Sequence, residues 1–345
     1  MEGRFCDTRA MLDRLVTPSQ ILAARMMVAG QLHRTPMLSS ETAARMIARS
    51  GVDIADGRLY LKAEHLQKTG SFKPRGALNR VATLSPQDRE SGVITLSAGN
   101  AGQAYAWAAT RAGVHAVVVM PEGAVRSKVE ACRAYGAEVV LHGAHVGETF
   151  ARMEGLRAER GLVFVHPYDD PDVIAGFGTL GLELLDDLPE VDVVVVPVGG
   201  GGLISGVAAA LKEARPSIRV YGVEPERSNA LALALASGEI VRIQPVSVAD
   251  GLGAPFAGAW TLAMAARYVD DIVLLDDPTI LGGLRFALER LKQVIEPAGA
   301  AALAALLYGR IPLRPGDRAC AILSGGNVEL AKLGQLASMA APLPT

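Results

Sequence analysis

The stretch Gln67-Lys68-Thr69-Gly70-Ser71-Phe72-Lys73-Pro74-Arg75-Gly76-Ala77 sets a lysine at the mouth of a helix. Pro74 suits the first helical position, where its missing N–H is no loss. Proline disfavours the helical region for the residue before it, so Lys73 is expected in extended backbone. The helix is expected to run from Arg75 through Ala82. A lysine fixed in this way can act as an amine nucleophile toward a carbonyl. Taken by itself, the stretch also fits an exposed, solvated lysine capping a helix.

Further along, apolar strands alternate with glycine-terminated helices. Strands are expected at 93–96, 115–120, 138–141 and 162–165, and helices at 103–112, 127–135 and 146–160. The alternation resumes with strands at 191–196, 219–223, 271–275 and 319–323 and a helix at 203–214. Continuous apolar strands between helices imply a parallel sheet covered on both faces. No low-complexity linker or fixed-period repeat marks a domain boundary.

Loops between strand and helix carry the polar chemistry. Gly199-Gly200-Gly201-Gly202 follows one strand and opens a helix. Consecutive glycines reach backbone angles closed to other residues, and their N–H groups together with the helix N-terminus favour a phosphate. Ser97-Ala98-Gly99-Asn100-Ala101-Gly102-Gln103 holds the same place after another strand. Its N–H groups could hold a carboxylate, or it is an ordinary helix-capping loop. Ser324-Gly325-Gly326-Asn327 lies at a third such junction, where Ser324 also fits a simple helix cap. Glu224, about twenty residues beyond the four glycines, mimics a dinucleotide fingerprint, although Ile204 breaks the G-x-G-x-x-G spacing. An NAD-dependent oxidoreductase is therefore one rival, against which stands a lysine that hydride transfer has no use for.

The bulk numbers exclude several classes. The 345 residues suit two domains or one large one, and half of them are hydrophobic. Lys plus Arg number 34 against 36 Asp plus Glu, which points to neither nucleic acid nor an anionic membrane as partner. No run approaches the ~20 apolar residues of a membrane span. Met1-Glu2-Gly3-Arg4-Phe5-Cys6-Asp7 lacks the apolar core of a signal peptide. Cys6, Cys132 and Cys320 are widely spaced and odd in number. Reduced thiols in a cytoplasmic protein are expected, not a disulfide framework or a zinc site, with Cys320 buried in its apolar run. His142 and His145 read as polar caps of a strand end.

Leu61-Lys62-Ala63-Glu64-His65-Leu66-Gln67, followed by Thr69-Gly70-Ser71-Phe72-Lys73 and Arg75-Gly76-Ala77, resembles the lysine segment of fold-type II pyridoxal phosphate enzymes. The threonine/serine dehydratases are the nearest branch, with serine racemase a near relative. The resemblance extends from His33-Arg34-Thr35-Pro36 to Ser324-Gly325-Gly326-Asn327. It implies a tryptophan synthase β-like α/β fold, with two open parallel-sheet domains and helices on both faces. A large cofactor-binding domain would comprise residues 1–83 and 171–345, with residues 84–170 forming a small inserted domain. With little chain after Leu336, no C-terminal regulatory domain is expected.

By this resemblance Lys73 is catalytic and carries pyridoxal 5'-phosphate. Phe72, Asn100, Gly199, Gly200, Gly201, Gly202, Leu203 and Ser324 would join it around the cofactor, Ser324 beside the ring nitrogen. Ser97, Ala98, Gly99, Asn100 and Ala101 would hold the substrate, chiefly its carboxylate. A serine does not keep the ring nitrogen protonated, which favours β-elimination or β-replacement over transamination. The implied reaction converts a small β-hydroxy amino acid, L-threonine or L-serine, to a 2-oxo acid and ammonia, in a homodimer or homotetramer. An amino-acid racemase or a β/γ-replacement synthase on the same fold remains open, as does a non-catalytic amino-acid sensor.

Several positions depart from the family's pattern. Relatives usually carry His at Ala101 and Gln at Phe177, the latter within Ala175-Gly176-Phe177-Gly178-Thr179; a second signature there is His166-Pro167-Tyr168-Asp169-Asp170-Pro171. Serine racemases carry serine at Ala98. Glu224 is the first ligand of a cation site in some relatives, but Ala230 stands where they place Asp, so Glu224 is expected to be structural. Glu296-Pro297-Ala298-Gly299 matches a segment near the cofactor ring, and Pro297 opening a helix explains it equally well.

Overall fold

A computed structural model describes residues 14–344; Cys6 lies outside them. The strands are Met37–Ser40 (β1), Leu59–Lys62 (β2), Val93–Leu96 (β3), Ala116–Met120 (β4), Glu138–Leu141 (β5), Val163–Phe164 (β6), Val193–Pro197 (β7), Arg219–Pro225 (β8), Asp271–Leu275 (β9) and Ala319–Ile322 (β10). They form a six-stranded sheet in the order β1-β2-β10-β7-β8-β9 and a four-stranded sheet in the order β5-β4-β3-β6. The smaller sheet falls wholly between residues 93 and 164.

The pairs are parallel, as expected, except β1 with β2, which run antiparallel with Met37 opposite Lys62. An apolar-run reading finds neither of these two strands. β1 is Met-Leu-Ser-Ser at a sheet edge, and β2 ends on a fully buried lysine.

Side-chain alternation divides the interior. Val194 and Val196 of β7 join Val118 and Met120 of β4 in one core that runs beneath both sheets. Val193 and Val195 face the opposite side of the larger sheet, against Leu303 and Leu306 of the helix Pro297–Leu307. Ile94, Val117 and Val119 pack on Met153 and Leu156 of the helix Val146–Arg160. This is the period-two pattern of strands buried on both faces.

The lysine segment rests on a buried ionic floor. Arg75 donates to both oxygens of Glu64 at 2.8 Å and to Glu183 at 2.9 Å. Lys62 donates to Glu183 and to Asp187, each at 2.7 Å, and to the Thr35 carbonyl at 2.8 Å. Burial pushes the Glu64 carboxyl up, but the Arg75 charge and hydrogen bonds outweigh it and hold the group below its ordinary range. Such a closed network is costly to break, since one missing partner strands a buried charge. The helix Pro74–Ala82 that carries Arg75 lies tightly against the helix Pro171–Asp187. A methyl group on Gly176 would sit 2.4 Å from the Arg75 carbonyl. Among the described residues no helix is long and apolar enough to cross a membrane.

Candidate active site

Lys73 stands at the N-cap of its helix with φ −54° and ψ −36°. The expected extended backbone is therefore corrected to helical. Its carbonyl already accepts the Ala77 N–H at 3.1 Å, so the helical turn overrides the local preference imposed by Pro74. The side chain turns inward. Nζ donates to the Pro167 carbonyl at 3.1 Å and lies 4.9 Å from the Phe72 ring and 5.5 Å from that of Phe177. Burial lowers the ammonium pKa to about 8, with Glu296 opposing. Phe177 is buried and meets Phe72 edge-on at 4.9 Å; it supports the lysine from beneath.

The four glycines link β7 to the helix Gly202–Ala214. Gly201 caps that helix in the left-handed region, φ +88°, and no side chain caps it. The first-turn N–H groups of such an end are an anion site. A methyl group on Gly200 would lie 2.4 Å from the Tyr168 ring, so only glycine leaves this cradle open.

The second loop follows β3 and enters the helix Asn100–Arg111, again without a side-chain cap. Ser97 Oγ accepts the Gly99 N–H at 3.3 Å. Ser324 follows β10, buried, and its carbonyl accepts the Phe72 N–H at 3.0 Å.

Lys73, Phe72, residues 97–101, residues 199–203 and Ser324 all line one cavity of about 400 Å³. Glu224 is not among them: its carboxylate accepts the Leu231 and Ala232 N–H groups at 3.0 and 2.8 Å, and burial raises it to about 8. No group of three or more His, Cys, Asp or Glu able to hold a metal occurs among the described residues. His145 is corrected from strand cap to helix N-cap, its Nδ1 accepting the Glu148 N–H at 3.4 Å. Cys132 and Cys320 are buried free thiols, each raised by burial to about 12.

Three sets of contacts around the cavity are not announced by any spacing in the sequence, although Glu296, Asn327 and His166 lie in segments singled out above. Glu296 accepts from Asn100 Nδ2 at 2.6 Å, while Asn327 Nδ2 donates to Asn100 Oδ1 at 2.8 Å and to the Thr69 carbonyl at 2.7 Å. Burial, then Asp250, raise Glu296 to about 7, opposed by Lys128, Asn100 and Lys73. Lys128 pairs with Asp250 at 2.6 Å across the same wall. His166 accepts the Tyr168 and Asp169 N–H groups on Nδ1 at 3.3 and 2.8 Å; burial, and then Lys73, lower it to about 4 and leave it neutral.

Known proteins are similar to this chain in sequence and in fold. A family model described as pyridoxal-phosphate dependent enzyme matches residues 28–325. The catabolic L-threonine dehydratase of Escherichia coli strain K12 is 40% identical over 326 residues, covering 94% of this chain and 97% of that one. A solved structure of maize serine racemase superposes with a TM-score of 0.86 at 37% identity, covering 93% of this chain and 96% of that one. The solved structure of a T.th. threonine deaminase gives 0.81 at 40% identity, covering 91% and 99%.

Proposed function

The chain belongs to the pyridoxal-phosphate dependent enzyme family, and from that premise we propose that it is an L-threonine/L-serine ammonia-lyase with Lys73 as its catalytic lysine. One observation carries the reading: a buried amine and two uncapped helix N-termini converge on a single cavity. Similarity to a threonine dehydratase and a threonine deaminase over most of their lengths supports the same substrate class.

The residues present fit the cofactor. The glycine loop is a phosphate cradle that a single Cβ at Gly200 would fill. Phe72, Asn100 and Ser324 line the same cavity as that cradle and Lys73. When bound, pyridoxal phosphate supplies an electron sink for negative charge at the substrate Cα. The chain's own groups do the rest. Backbone N–H groups of residues 97–101 bind the substrate carboxylate. Lys73, lowered to about 8, is partly unprotonated near neutrality and takes the Cα proton. The proton and the β-hydroxyl depart as water. One water returns as the nitrogen leaves as ammonia, giving the 2-oxo acid. Asn327 and Glu296 fix Asn100 from either side.

Residues 84–170 form the small inserted domain in this reading, and the enzyme is a cytoplasmic homodimer or homotetramer. The exposed Leu22, Met26 and Met27 on one helix support association. Release of 2-oxo acid from L-threonine and L-serine by the holoenzyme tests the function. No release from either, with the cofactor bound, overturns it.

A further inference from the structure

We infer that the free wall of the cavity, while admitting L-serine and L-threonine, favours above them a substrate whose β-substituent is apolar and larger than methyl, and rejects one that carries a carboxylate. This rests on the proposed lyase reading and extends it to the substrate's side chain.

The two loops in the cavity lining suited to anions are already assigned, the glycine cradle to the phosphate and residues 97–101 to the carboxylate. Much of what remains is carbon: Leu96, Val146, Phe150, Phe164, Pro255 and Phe256. Val146 and Phe150 are four residues apart on the helix Val146–Arg160, hence on one face. They are 54% and 49% exposed, while Met153 and Leu156 of the same helix are buried in the core. Apolar side chains left half in solvent beside a cavity form a mouth that an apolar ligand would dry. The rings of Phe164, His166, Tyr168 and Phe256, which also line the cavity, meet edge-to-face at 4.5 to 6.3 Å. This aromatic wall adjoins the reacting amine, since Lys73 Nζ donates to Pro167 between two of its members. Ala101 contributes only a methyl group beside the carboxylate loop and leaves room there.

The charges point the same way. Among the described residues that line the cavity, the cations besides Lys73 reduce to Lys128, whose Nζ is held 2.6 Å from Asp250. His166 Nδ1 is occupied as an acceptor by two backbone N–H groups. An acidic β-substituent would find no uncommitted cation on this wall, because Lys128 is held by Asp250. A carboxylate taken out of water without a partner is costly.

The test is calorimetric titration of the holoenzyme with L-alanine, L-2-aminobutyrate, L-norvaline and L-aspartate, none of which carries a β-leaving hydroxyl. Affinity should rise roughly fourfold for each added methylene, with L-aspartate binding more weakly than L-alanine. Phe150→Ala should shrink the advantage of L-norvaline over L-alanine, and Phe150→Leu should keep most of it. A flat series, or L-aspartate binding as tightly as L-norvaline, overturns the inference. Turnover of L-threonine and L-serine is scored separately. Its absence counts against the lyase reading, while the binding series alone judges the wall.

Discussion

Asn327 Nδ2 lies 2.8 Å from Asn100 Oδ1, and the Asn100 amide passes a second hydrogen bond to Glu296 at 2.6 Å. Residues 227 and 196 positions away in the chain therefore orient one side chain of the loop that follows β3. The arrangement places a carboxyl raised to about 7 in the same cavity as an amine lowered to about 8.

The pH dependence of stability follows from these shifts. Glu296, raised from 4.5 to about 7, holds its proton more tightly folded than unfolded. Cofactor-free protein should therefore lose stability as pH rises through that interval, by up to about 3 kcal/mol from this group. Glu224, raised to about 8, adds to the same slope. Lys73 acts in another window: with its pKa lowered from 10.5 to about 8, the unfolded chain binds more protons there and stability rises with pH. Urea midpoints at pH 5 and pH 7 measure the first effect. Glu296→Gln keeps an acceptor for Asn100 and should flatten part of the slope; an unchanged slope refutes the assignment.

Covalent attachment should be confined to Lys73. After borohydride reduction, peptide mass spectrometry is expected to find the cofactor there, and Lys73→Ala should lose both the label and all 2-oxo acid release. Lys62 is tied to Glu183, Asp187 and the Thr35 carbonyl. A label on Lys62 or Lys68 would sink the proposed role.

Substitution of the glycine cradle should expel the cofactor without unfolding the chain. In Gly200→Val the new Cβ would lie 2.4 Å from the Tyr168 ring. Overpacking of this kind costs about 1–3 kcal/mol, or roughly 5- to 150-fold in retention. Cofactor content after dialysis reads the effect, and wild-type retention would place the phosphate elsewhere.

Elimination should proceed without appreciable racemisation. Racemisation needs an acid/base group facing Cα from the side opposite Lys73, and serine racemases carry a serine at the position of Ala98. A methyl group neither gives nor takes a proton. Incubation with L-serine is expected to yield pyruvate and ammonia with almost no D-serine. D-serine formed at a rate comparable to pyruvate contradicts this, and Ala98→Ser is expected to gain racemase activity.

Local features are the ones legible in the sequence. Four consecutive glycines after an apolar run announce a loop suited to an anion, and glycine-stopped helices between apolar strands announce parallel sheet, while its division into two sheets is implied only by the family resemblance. The backbone at Lys73 escapes such a reading because a pairwise preference before proline yields to a hydrogen bond from Ala77. β1 and β2 escape it because one is half polar and the other ends on a lysine whose charge is neutralised by partners 121 and 125 residues away. The Asn327–Asn100–Glu296 relay joins side chains that only the closed fold brings together, and no spacing rule reaches them.

β10 sits between β2 and β7 in the middle of the larger sheet. During synthesis, strands 59–62 and 193–197 must therefore wait, unpaired with each other, for residues 319–322 to leave the ribosome. A nascent chain stalled before that point has the lysine segment and the glycine cradle but no Ser324 and no partner for the Phe72 N–H. Assembly of the cavity is thus deferred until this late strand emerges, and the exposed edges of β2 and β7 make the interval before it the chain's period of greatest exposure to aggregation and chaperone capture.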